Sequence, residues 1–404
     1  MDGIWIEKST NNGANWNLWN FGEPFYSSYE EFSPSLDEIP WNAGGHSFAA
    51  VIYTDGVNLQ LNVVRTNTSA SYIDQQLAVN WGTGTFMTPV VATTSSKILV
   101  VCNNGMNEND QVGLAYFYGN ISYSAPNVNL SWTDGHFYPE YKIIPGTNST
   151  STNITIVADK SAGNVFHIAW QQGNAIKYCK ATGSGNDLTF SSVETPSSPG
   201  VYQYNECPSI SLANGNPVLS WTGNGYMNPE KMVSKLTLLQ TPKVLVRRRG
   251  TSWGDIQVAG DNVNFTNNNS ASTTQEKTVI IWSEGTTPQS KWMTRIGSSY
   301  SYPLNLSSSG IQAQVIGGSN LQYMTSIVFN DNQLPYYFTK TTTNFNDLGK
   351  ISSLSDTTIT FGRAGIVNVN GVDFVFNTGD VIVNDEVIRF IENRIQFSAV
   401  LMLN

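Results

Sequence analysis

Four stretches of this 404-residue chain set aromatic rings beside amides, hydroxyls and carboxylates. They are Trp41-Asn42-Ala43-Gly44-Gly45-His46, Trp81-Gly82-Thr83-Gly84-Thr85-Phe86, the run from Trp132 through Asp134, His136, Phe137 and Glu140 to Tyr141, and Tyr202-Gln203-Tyr204-Asn205-Glu206. An exposed indole or phenol offers a flat apolar face to a sugar ring, while amides and carboxylates bond the sugar hydroxyls. On that chemistry Trp41, His46, Trp81, Tyr202, Tyr204 and Glu206 form a candidate sugar-binding set. The plainer role for any one ring is core packing, so the case for a site rests on the four stretches together.

Catalytic chemistry is more thinly supported. Glycoside hydrolysis needs two carboxyl groups about 5 to 10 Å apart across the scissile bond. Glu206 with Glu140 or Asp134 could supply them if the fold brings them to one cavity. No Gly-x-Ser-x-Gly elbow, phosphate loop or His-Glu-x-x-His motif occurs. Asn104, Glu108 and Asp110 lie in a segment rich in oxygen donors that could take Ca²⁺, although a solvated turn explains the same composition more simply. His46, His136 and His167 and the scattered Cys102, Cys179 and Cys207 lack the spacing of a zinc site. An odd cysteine count excludes a fully paired disulfide framework, and buried thiols are the expectation.

Composition narrows the partners. Only 13% of residues are charged, while aromatics reach 12%. Such a surface is solvated by hydroxyls and amides, and its aromatic content argues against disorder. A net charge of -9 disfavours nucleic acid, and Arg247-Arg248-Arg249 is the sole basic run. No apolar stretch is long enough for a membrane-spanning helix. The chain opens directly on Gly3-Ile4-Trp5-Ile6, without a leader-like segment, so an exported protein is expected to be read here in mature form or as part of a larger one.

These residues must be positioned by strands, because helical periodicity is almost absent. Apolar or alternating runs ending at 53, 102, 170, 221, 282 and 329 are each followed by a Gly/Asn-rich or acidic turn and a second run. Their spacing is that of four-stranded propeller blades with lengthened loops. Preceding apolar segments at 86–92, 153–157, 209–212 and 312–316 supply innermost strands. The expectation is an all-β, six- or seven-bladed β-propeller over residues 1–350. The N-terminal hairpin would close the ring with C-terminal strands. Residues 351–404 would give those closing strands or a small C-terminal β-appendage. The segment 262–277 reads as a polar loop, as does 23–32.

Ser9-Thr10-Asn11-Asn12-Gly13-Ala14-Asn15-Trp16, behind the strand Ile4-Trp5-Ile6-Glu7, resembles the Asp-box of sialidase-like (BNR-repeat) propellers. Asn11 stands where that motif has Asp. Gly250-Thr251-Ser252-Trp253 keeps its second half. The resemblance implies the fold and not the activity, because Asp-boxes cap hairpins on the outer face of blades. Sialidases also use an Arg-Ile-Pro motif, which is missing; Arg295-Ile296-Gly297 lacks the Pro. The resulting expectation is a secreted or cell-surface propeller that recognises a glycan or glycoprotein surface without catalysis. A glycoside hydrolase or lyase using channel carboxylates is the alternative, and a purely structural module the third reading. No cofactor beyond the Ca²⁺ site is expected.

Overall fold

Alternating runs separated by Gly/Asn turns pair edge to edge through their backbones and send side chains to the two sheet faces, and a computed structural model shows what they build. It describes thirty-one strands between Ile4 and Met402, with the connections 94–96, 112, 133–137, 139–141, 144–150, 160–164, 173–174, 185–186, 191–198, 214–215, 242 and 249–256. Side chains are described chiefly in residues 88–260, with parts of 35–63 and 278–282. Among the described residues no helix occurs, and hence none long and apolar enough to cross a membrane.

The strands form seven sheets in chain order. The first blade is Phe32–Ala43, His46–Thr54, Asn58–Arg65 and Ser71–Val79. The second is Phe86–Thr93, Lys97–Asn104, Gly113–Ser124 and Asn127–Trp132, with Lys142–Ile143 returning against the third of these. Ser151–Asp159, Val165–Gln172, Ala175–Ser184 and Asp187–Phe190 make the third. Tyr202–Ala213, Asn216–Tyr226, Lys243–Arg248 and Gln257–Gly260 make the fourth. The fifth begins at Asn268–Ser272 and the sixth at Gln312–Ile316. The seventh runs Thr357–Val369, Val372–Val383, Gln396–Met402, Ile4–Ser9, Asn17–Trp19. In it Trp5 stands opposite Ser398 in a parallel pairing, so the two ends of the chain meet in one sheet.

The first strand of each blade touches the first strand of the next, and that of the seventh touches Phe32–Ala43. A closed ring of seven innermost strands results. They run parallel where side chains report it: Val91 and Thr93 amides reach Ser35 and Asp37, and Ile210 reaches Thr155.

Apolar side chains fill the layers between blades. Phe48, Val100 and Phe117 share the first-to-second layer, Phe166 and Trp170 the next, and Trp221 the third-to-fourth. Trp170, Trp221 and Trp282 occupy matching positions on second strands and are fully buried. Burying a large side chain contributes about 1.5–3 kcal/mol, but an indole N–H then needs an acceptor. Trp170 finds Gln172 Oε1 at 3.0 Å and Trp221 finds Asn205 Oδ1 at 2.9 Å.

Two segments differ from the sequence expectation. Phe32–Ala43 is the innermost strand of the first blade, although Pro34, Pro40 and the acidic pair Asp37-Glu38 disguise it. Asn268–Ser272 lies within the expected polar loop, yet pairs along Lys277–Glu284 as an innermost strand. Asn, Ser and Ala give it no apolar alternation, so backbone pairing makes it a strand.

Candidate functional site

Each innermost strand receives the chain from the outer edge of the preceding blade, so its N-terminal end forms one mouth of the ring. In the first four blades that end carries the same irregularity. Two residues oppose a single one on the second strand: Ser33-Pro34 against Tyr53, Thr88-Pro89 against Cys102, Asn153-Ile154 against Trp170, and Cys207-Pro208 against Trp221. Gly362-Arg363 does so in the seventh. Thr88, Asn153 and Cys207 take φ values of 49°, 48° and 51°. That left-handed region costs a residue with a Cβ about 1–2 kcal/mol. The bulge also explains the prolines, since its unpaired residue has no ladder bond to lose. Bulges re-aim the side chains beside them, here at the mouth.

The mouth is best defined between the third and fourth blades. Asn153 Nδ2 donates to Gln171 Oε1 at 2.8 Å and approaches Cys207 Sγ at 3.8 Å. Ser151 Oγ donates to Gln172 Oε1 at 3.2 Å, and Gln171 Nε2 to the Gly173 carbonyl at 3.1 Å. Across the crevice Asn205 Nδ2 donates to the carbonyls of Asn174 and Tyr202, both at 3.1 Å, while its Oδ1 takes the Trp221 indole. Asn205 is thereby locked, and it fixes the strand on which its neighbours Tyr204 and Glu206 stand; Glu206 pairs with Thr222, which pairs with Val244 of the fourth-to-fifth layer, so it starts from the opposite face of the strand to Asn205. Tyr204 is 45% exposed. Glu206 is half-buried and has no hydrogen-bond or ion-pair partner among the described residues. Burial pushes its carboxyl above the usual carboxylate range.

The other sequence candidates lie elsewhere. Tyr202 is buried with Ala169, Tyr178, Ile210 and Trp221. Its ring lies against Gly223, where a Cβ would come within 2.9 Å of it. It is therefore a support for the lip and not an open face. Trp41 and His46 flank the turn between the first and second strands of the first blade, at the opposite end of the innermost strand from the mouth. Their side chains, and Trp81 altogether, fall outside the described residues. Asp134 and Glu140 follow the outermost strand of the second blade, and Lys142–Ile143 then returns to Tyr116 and Ala115. Both are thus held on the outer edge, away from Glu206. Asp134 is occupied with its own turn, accepting from the His136 amide at 3.0 Å and the Glu140 amide at 2.6 Å. Asn104 is buried at its strand end, and Glu108 and Asp110 lie outside the described residues.

Below the crevice the third and fourth blades are braced. Arg249 binds Glu194 through two nitrogens at 3.0 and 2.8 Å, and the Trp253 indole donates to the same carboxylate at 2.6 Å. Arg247 donates to the Pro196 and Ser198 carbonyls at 2.6 Å and also to Gly254. The guanidinium groups of Arg247 and Arg249 thus act as struts between the blades. Trp253 stands edge-on to Tyr178, whose hydroxyl lies 2.7 Å from His167 Nδ1. Burial pushes His167 down to about 4, with Lys180 adding to the shift. Gly250-Thr251-Ser252-Trp253 occupies the connection between the third and fourth strands of its blade; residues 10–16 of the other Asp-box-like segment are outside the described residues.

No protein-family model and no curated protein matches the chain. Among solved structures, the polysaccharide lyase Uly1 aligns with a TM-score of 0.52 at 10% identity, over 98% of this chain and 96% of that one. The likeness is one of fold. A Trypanosoma rangeli sialidase in complex with sialic acid aligns at 0.47 and 10% identity, over 93% of this chain and 55% of that one. This chain thus spans about half of the sialidase's length. Aleuria aurantia lectin in complex with alpha-methyl-L-fucoside aligns at 0.44 and 10%, over 80% and 97%.

Proposed function

We propose that this propeller is a secreted or cell-surface glycan-recognition module that binds sugar at the mouth end of its fourth blade's innermost strand. The observation that carries the reading is Tyr204 beside Glu206: an exposed ring next to a half-buried carboxylate with no described partner, on a strand locked by Asn205. An aromatic face and an acceptor set on one rigid edge are what a sugar ring needs. Binding without turnover is the reading preferred, because hydrolysis calls for a paired carboxylate and the sequence candidates Asp134 and Glu140 stand on the outer edge. The test is a glycan-array binding assay with a parallel measurement of chain cleavage. Tyr204→Ala is expected to weaken binding by about 1–3 kcal/mol with the fold intact. Cleavage abolished by Glu206→Gln, with binding retained, would instead establish an enzyme.

A further inference from the structure

An exported chain can carry sugar on the asparagine of an Asn-x-Ser/Thr triplet that lies open at its surface. Four such triplets have described side chains: Asn120-Ile121-Ser122, Asn129-Leu130-Ser131, Asn148-Ser149-Thr150 and Asn153-Ile154-Thr155. Composition supplies them freely in a chain rich in Asn, Ser and Thr, so accessibility must decide among them. The reaction needs a free amide nitrogen and room for a bulky group. Nδ2 attacks the anomeric carbon of a lipid-phosphate-linked oligosaccharide and forms the N–C bond. The C–O bond to phosphate breaks with its electron pair on the phosphate, and Nδ2 gives one proton to a base of the transferring enzyme. Asn153 does not meet these needs. Its Nδ2 donates to Gln171 Oε1 at 2.8 Å from a bulge with φ of 48°, and Thr155 Oγ1 accepts from the Ile210 amide at 3.3 Å. Asn120 is half-buried, and its Oδ1 holds Lys97 Nζ, which also reaches the Gly185 carbonyl at 3.0 Å. That asparagine belongs to a tie between the second and third blades.

Asn148 and Asn129 are open. Asn148 is exposed in the connection from the second blade to the third. Its Oδ1 accepts from the Thr150 amide at 2.9 Å and from the Thr150 hydroxyl at 2.8 Å, and its Nδ2 has no partner among the described residues. The two polar groups of the triplet are thus already joined, with the nitrogen left to water. Asn129 and Ser131 are both exposed on Asn127–Trp132, the outermost strand of the second blade. A sugar on that strand shields an edge otherwise open to pairing with another chain. Resting on the reading of the chain as secreted or cell-surface, we infer that Asn148 and Asn129 are modification sites bearing N-linked oligosaccharide, and that Asn120 and Asn153 stay bare.

The experiment recovers the full chain from the cells that make it, separately from the cytosol, the cell surface and the medium. Peptides spanning the four asparagines are then weighed intact by mass spectrometry. In the exported chain the peptides with Asn148 and Asn129 should be heavier by a whole oligosaccharide, and those with Asn120 and Asn153 should have their bare mass. Thr150→Ala removes the hydroxyl and should abolish the shift at Asn148 while Asn129 keeps its own. Thr150→Ser retains the hydroxyl and should retain the shift, which separates loss of the triplet from damage to the loop. An exported chain bare at both Asn148 and Asn129 overturns the inference and leaves export standing. Sugar on Asn153 or Asn120 overturns the choice by accessibility. A chain found only in the cytosol overturns the export reading, and the inference with it.

Discussion

Asp37 and Glu206 both stand on innermost strands, and the fold treats them in opposite ways. Asp37 lies past the bulge of the first blade. One of its oxygens accepts from the Thr93 amide at 2.6 Å and the Thr93 hydroxyl at 3.1 Å, and the other meets Lys160 at 3.1 Å. A single carboxylate thus ties three consecutive blades. Glu206 lies before the bulge of the fourth blade, on the mouth side, and burial raises its pKa with no partner among the described residues. A raised carboxyl pKa contributes stability at low pH that is lost as pH rises through the folded value, so ionised Glu206 works against the fold at neutral pH. Asp37 builds the ring. Glu206 weakens it at neutral pH, a cost that the proposed binding role would account for.

The largest effect should come from the strut. Asp37→Ala leaves Lys160 and the Thr93 amide without their acceptor and should cost about 2–4 kcal/mol in chemical denaturation. Glycan affinity of the folded fraction should be unchanged, and a matching loss of affinity would break the division between strut and lip. Acid should act through the buried pair between the two regions. His167 has its pKa depressed to about 4, so its contribution is present above about 6.5 and fades as pH falls toward 4. The loss should approach about 3 kcal/mol, and His167→Gln should flatten that part of the stability–pH curve. A curve that keeps its slope in the variant would assign the acid sensitivity to other groups.

Much of the ring was legible in the sequence, because the run ends at 53, 102, 170 and 221 are the side chains that oppose the bulges. Buried Trp170 and Trp221 announce their strands through composition alone. The bulges were not legible. Proline argues against an interior strand, and only pairing geometry shows that Pro34, Pro89 and Pro208 sit where the ladder is already broken. The recurrent Ser33-Pro34, Thr88-Pro89 and Cys207-Pro208 pairs were the available signal. Missing the first of them hid Phe32–Ala43, and that placed Trp41 and His46 at the mouth when they belong to the other end of the strand. Tyr204 and Glu206 were singled out by type, as a ring beside a carboxylate. That Tyr202, two residues earlier, turns inward over Gly223 depends on packing between blades that no local pattern reports.

The most direct test of the account follows melting temperature and glycan affinity together in Glu206→Gln at neutral pH. Removing a half-buried charge that has no partner among the described residues should raise the melting temperature, while exchanging an anionic acceptor for an amide should weaken binding of a neutral glycan several-fold, by about 1 kcal/mol. Stability up and affinity down in one variant is the result that a carboxylate held for a sugar predicts. A lower melting temperature with unchanged affinity would contradict it, and would make Glu206 a second strut like Asp37.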